Sequence, residues 1–125
     1  MIDDGFYCID CFDGMTQIDD KSIDMILCDL PYGTTRNRWD SVLPLDKLWL
    51  DYERIIKDSG CICLFSAQPF TTDLINSNRA LFRYDLIWDK VLSSGFLNSH
   101  KMPLRRHEII CVFYKNPPKY NPIME

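Results

Sequence analysis

No run of apolar residues in this 125-residue chain approaches membrane-spanning length, so no membrane helix is expected. The opening, Met1-Ile2-Asp3-Asp4-Gly5, is acidic and lacks the basic start and apolar stretch of a secretory leader. The expected compartment is therefore the cytoplasm. Histidine is scarce: His100 and His107 stand far along the chain without ligand-pair spacing, and no metal site is expected. No internal repeat or low-complexity segment is evident, which argues against a repeat architecture.

What remains has the composition of a soluble globular domain, 46% hydrophobic and 26% charged. The length allows one domain with a real core and is too short for two. In a reducing compartment the six cysteines read as free thiols. Cys28, Cys61, Cys63 and Cys111 lie in apolar strand-like runs, where cysteine acts as a small hydrophobe. Cys8-Ile9-Asp10-Cys11 has C-x-x-C spacing but no second ligand pair for zinc. A redox pair remains open there, beside the plainer reading of incidental cysteines.

The net charge of −4 argues at first against nucleic acid, but it is unevenly spread. Residues 1–58 hold 13 acids and 6 bases, whereas residues 59–125 hold 5 acids and 8 bases. Lys101, Arg105 and Arg106 cluster in one loop-like stretch. Such a cluster is either a solvated loop or a phosphate-contact site.

Periodicity predicts an α/β order. Residues 6–10 read as a first strand, 11–18 as a short helical turn and 23–29 as a buried strand. A long loop over 30–43 follows, of the kind that serves as a lid or binding loop. Leu45, Leu48, Trp49, Tyr52, Ile55 and Ile56 recur at helical spacing, so a helix is expected over 45–58, stopped by Ser59-Gly60. A strand over 61–66 leads to Pro69, which can open a helix with Phe70, Leu74 and Ile75 inward. Strands are expected over 82–88 and 108–114, joined by a loop over 89–106. The last two, joined without a helix, imply an antiparallel edge on a mostly parallel sheet.

The chain is organised around Leu27-Cys28-Asp29-Leu30-Pro31-Tyr32-Gly33. A buried strand ends in an acid, a stiff proline, an aromatic ring and a glycine, where α/β sheets bind ligands. A carboxylate with a ring three residues on suits a planar group bearing an amino function. The plainer reading is a strand followed by a turn.

Asp29-Leu30-Pro31-Tyr32 resembles the catalytic tetrapeptide of S-adenosylmethionine-dependent DNA amino-methyltransferases, Asp/Asn/Ser-Pro-Pro-aromatic, with Leu30 replacing the first proline. Tyr7-Cys8-Ile9-Asp10-Cys11 resembles that family's segment whose acid meets the cofactor adenine. Phe65-Ser66-Ala67-Gln68-Pro69-Phe70 resembles its next strand end. Trp88-Asp89-Lys90 and the stretch from Phe96 to Lys115 resemble its late strand, DNA-facing loop and final hairpin.

The resemblance implies a Rossmann-like sheet, S-adenosylmethionine as cofactor and double-stranded DNA with a flipped base as partner. It makes Asp29, Leu30, Pro31 and Tyr32 catalytic. It sets Asp10, Cys11, Asp29, Ser66 and Phe70 beside the cofactor, and Lys101, Arg105 and Arg106 near phosphates. An acid at the first position points to adenine. Cytosine-N4, RNA or protein-amide methylation, and an inactive remnant acting only by binding, stay open. The family's Phe-x-Gly-x-Gly motif and target-recognition region have no counterpart here. Residues 1–125 are thus expected to form one incomplete catalytic domain. It would need a missing C-terminal half or a second copy, with its first strand displaced for want of a partner.

Overall fold

The computed structural model describes residues 2–31, 43–94 and 100–123. A short helix α1 (Cys11–Met15) precedes strand β1 (Ile23–Asp29), followed by helix α2 (Leu45–Ile55), strand β2 (Ile56–Ser66) and helix α3 (Phe70–Ser77). Strands β3 (Phe82–Ser94) and β4 (Arg105–Phe113) complete the order. The sheet runs β1-β2-β4-β3, with β1 parallel to β2 and β4 antiparallel to both of its neighbours. Three strands therefore point one way and only β4 opposes them, as the expected α/β sheet with an antiparallel terminal hairpin requires.

The helices share one face of the sheet. Met15 of α1, Leu48, Trp49, Tyr52 and Ile55 of α2, and Phe70 and Leu74 of α3 join Ile62, Leu64, Cys111 and Phe113 in a single core. The Trp49 and Phe113 rings lie 4.7 Å apart, and Trp49 Nε1 donates to Ser77 Oγ at 2.8 Å, tying α2 to α3. Arg54 clamps the exit of α1, donating to the Met15 and Ile18 carbonyls at 2.6 and 2.8 Å and pairing with Asp20 at 2.9 Å.

Four expectations are corrected. Residues 6–10 form no strand, because nothing among the described residues offers them a ladder. The predicted helix 45–58 ends at Ile55, where two β-branched isoleucines meet and Ile56 pairs with Ile23. Strand β2 thus starts five residues before Cys61 and bulges until Met25 pairs with Cys61. Gly60 sits in that bulge, where a Cβ would lie 2.6 Å from an Ile56 side-chain carbon and 3.0 Å from the Asp24 carbonyl. The loop predicted over 89–106 is shorter, since the β3–β4 hairpin continues outward to pair Asp89 with His107 and Ser94 with Arg105.

Candidate active site

Parallel pairing brings the carboxyl ends of β1 and β2 side by side, with Asp29 opposite Phe65. Because β4 is antiparallel, its first residues lie at the same end, Ile109 opposite Ser66. Asp29 is exposed at this rim, and Leu30 turns its side chain into the core at 4% exposure. A leucine in the proline position is thus held by packing instead of by a ring. Pro31 is half-buried; Tyr32 lies outside the described residues.

Behind Asp29 stands Cys28, whose sulfur accepts a hydrogen bond from the Tyr52 hydroxyl. Burial pushes the Cys28 thiol up despite this bond. Burial pushes the Tyr52 hydroxyl up as well, and the neighbouring Cys28 and Cys11 add to it. Both groups are neutral at physiological pH, so Cys28 is no thiolate nucleophile.

Cys11, at the start of α1, approaches the same pair. Its thiol is pushed up first by burial, then by Asp10 and Cys28. Asp10 caps α1, its carboxylate accepting from the Phe12 and Asp13 backbone N–H groups at 2.9 and 3.4 Å. A ligand contact from Asp10 must therefore share that carboxylate with the helix end.

Ser66 and Phe70 lie deeper than their expected role as pocket wall. Ser66 is wholly buried, its hydroxyl 2.9 Å from the Thr71 hydroxyl, and Phe70 packs in the core. The basic residues divide. Arg105 donates to the Gln68 carbonyl at 3.0 Å across a cleft of about 150 Å³ lined by Ala67, Gln68, Arg105, His107 and Ile109. Arg106 makes an exposed ion pair with Asp89 at 3.1 Å. The Val91 backbone N–H and Arg106 together hold the Asp89 carboxyl below its ordinary range. Lys101 is exposed in the connection between β3 and β4. Arg105 and Arg106 are thus strand residues, because the ladder reaches past the apolar run that predicted it.

The fold gathers Asp29, Ser66, Gln68, Arg105 and His107 at one end of the sheet. Gln68 and His107 were given no role of their own, although Gln68 lies in the Phe65–Phe70 segment and His107 adjoins the basic pair Arg105-Arg106. Gln68 follows the strand end directly, which is the one signal that singles it out. Among the described residues no cluster of His, Cys, Asp and Glu is arranged to hold a metal ion, and no helix is long and apolar enough to cross a membrane.

No protein-family model matches the chain. Over 93 residues it is 28% identical to the type II methyltransferase M1.MboII of Moraxella bovis, covering 66% of this chain and 35% of that protein. It superposes on the crystal structure of M1.HpyAVI with SAM at a TM-score of 0.62 and 18% identity, over 94% of this chain and 61% of the other. On the PvuII DNA methyltransferase, which is cytosine-N4-specific, the TM-score is 0.64 at 13% identity, over 90% and 50%. The chain therefore spans between 35% and 61% of the length of these relatives. It shares the α/β fold of the two solved structures, and its sequence is similar to that of a type II methyltransferase.

Proposed function

We propose that this chain, with the fold of a DNA methyltransferase, carries the base-binding half of an enzyme that methylates the exocyclic amino group of a flipped adenine. The observation that carries the reading is the start of Asp29-Leu30-Pro31-Tyr32 at the carboxyl end of β1, paired parallel to β2. An amino group inside a duplex is out of reach, so the base must leave the stack. Asp29 and the Leu30 carbonyl accept its two hydrogens. Pro31 stiffens the turn, and Tyr32 stacks on the ring, an interaction worth about 1–3 kcal/mol per base. As the nitrogen gains positive charge, the Asp29 carboxylate stabilises it more in the transition state than in the ground state. Asp29 would also take up the proton that the nitrogen then loses.

S-adenosylmethionine, when bound, supplies an electrophilic methyl group on a sulfonium sulfur. Asp10 and Cys11 at the start of α1, together with Asp29, would hold it, with Ser66 and Phe70 shaping that wall from behind. Lys101, Arg105 and Arg106 would meet DNA phosphates, Arg106 by exchanging Asp89 for a phosphate oxygen. Cytosine N4 is the second reading, favoured by the likeness to the PvuII enzyme.

The test is to incubate the protein, mixed with the complementary half that this reading requires, with labelled S-adenosylmethionine and unmethylated DNA, then digest the DNA to nucleosides. N6-methyladenine is the expected product; N4-methylcytosine would move the assignment to the second reading. Asp29→Ala should lower transfer by roughly 10²–10³-fold or more, as removal of one transition-state partner does. Cofactor affinity by calorimetry should fall far less than transfer, because Asp10 and Cys11 still hold the cofactor. Retained transfer in Asp29→Ala overturns the proposal.

A further inference from the structure

The β3–β4 hairpin does not run evenly. Asp89 pairs with His107 and Ser94 with Arg105, so residues 90–93 of β3 stand opposite Arg106 alone. The surplus residues bulge out of the ladder, a device that re-aims side chains beside active sites. Val91, within the bulge, has a φ of 69°, a conformation that a β-branched residue rarely adopts. Asp89 holds it there: its carboxylate accepts from the Val91 backbone N–H at 2.9 Å and from Arg106 Nε at 3.1 Å. Strain of this kind persists only where its surroundings fix it, and such places cluster at functional sites.

The bulge offers apolar side chains to solvent. Val91 is 70% exposed and Leu92 79%. Met102 and Leu104, in the connection to β4, are exposed as well. The charge around them is of one sign. Residues 90–107 contain Lys90, Lys101, Arg105 and Arg106 and no acid, in a chain whose net charge is −4. A phosphate-contact site accounts for the bases but not for the uncovered apolar side chains among them.

Location narrows the partner. Ile109 of β4 pairs with Ser66 at the rim where β1 ends in Asp29. Arg106 lies three residues farther out, about 10 Å above that rim at the rise of an antiparallel strand. A base flipped down to Asp29 leaves its duplex above the rim, level with the bulge.

We propose that the Val91-Leu92 bulge is a wedge that enters the base stack of duplex DNA, with Lys101, Arg105 and Arg106 on the flanking phosphates. The choice of DNA as partner rests on the methyltransferase reading of the Asp29 end. Apolar side chains inserted between base steps unstack and kink a duplex, and a base in a loosened stack is easier to extrude. Arg106 can pass from Asp89 to a phosphate while the Val91 hydrogen bond keeps the bulge in shape.

The test measures fluorescence anisotropy of two labelled duplexes of one sequence, one intact and one with a single abasic site. The protein should bind the abasic duplex about tenfold tighter or more, because one stack is already open there. Val91→Asn combined with Leu92→Asn should remove that preference, asparagine being tolerant of the left-handed backbone at position 91. Affinity of this double variant for the intact duplex should stay within about twofold, since phosphate contacts dominate it. Leu92→Phe, a larger wedge, should keep the preference. Arg106→Gln should weaken both duplexes alike and flatten their salt dependence. Equal affinity for the two duplexes, or a preference that survives the double variant, overturns the proposal. So does a double variant that alters only the oligomeric state or only binding to anionic lipid vesicles. Methyl transfer without the abasic preference discards the wedge and keeps the enzymatic reading; the preference without transfer does the reverse.

Discussion

The two faces of the sheet are built from the same strands and of similarly apolar residues, yet they do different things. On the helix side, Ile62, Leu64, Cys111 and Phe113 are enclosed by α1, α2 and α3. On the other side, Leu27, Leu86 and Trp88 face outward. The contrast teaches that apolar content alone does not locate a core. A strand read as hydrophobic throughout has two surfaces, and each needs its own cover. The core of this chain lies on one of them; the other is uncovered among the described residues.

The comparison is broken most directly at its buried pole. Phe113→Ala should cost about 3–5 kcal/mol in chemical denaturation, because it opens a cavity beneath Trp49 and Phe82. A loss below about 1 kcal/mol would mean that the helix side is not the core.

A difference in chemistry comes next. Cys61 has a thiol lowered to about 7 by its hydrogen bond with Cys63. Thiolate is the reactive form, so its alkylation should rise about tenfold per pH unit below 7 and level off above. Cys63, whose thiol the same bond and its burial push up, should stay inert. An inflection for Cys61 at the ordinary cysteine value would dissolve the pair.

A smaller effect tests how α1 is held against the covered side. Asp10→Ala removes the cap and should cost about 1 kcal/mol, with faster amide exchange at Phe12 and Asp13. Leu27→Lys should show the smallest effect, changing the stability of the chain by no more than about 0.5 kcal/mol. A large loss there would put Leu27 in the core and erase the distinction between the faces.

Much of this was legible in residue order. The helical spacing of Leu48, Trp49, Tyr52 and Ile55 predicts the buried stripe of α2, and the apolar run ending at Asp29 predicts β1 and its rim position. The ends of elements were less legible, because neighbours decide them. Ile56 leaves the helix only because Ile23 is there to pair with it, and Arg105 and Arg106 become strand because β3 extends alongside. Residues 6–10 have strand-like sequence and no ladder partner among the described residues, so propensity alone misreads them. In the site, the end of the apolar run is enough to set Asp29 at the last position of β1. Ser66 was expected in the pocket, but its burial depends on Thr71 and Ile109, which local sequence does not reveal.

The position of β4 also dictates the order in which the chain can fold. It lies between β2 and β3, which do not pair with each other, so β3 cannot join the β1–β2 ladder until residues 105–113 arrive. The hairpin can close early, since β3 and β4 are neighbours in sequence. Joining it to β2 requires Ile62–Ser66 to find Ile109–Phe113 across more than forty residues, a slow non-local step. During synthesis, β2 therefore waits with one edge unpaired until residues 105–113 have emerged, and a chain cut before Arg105 cannot join β3 to the other strands.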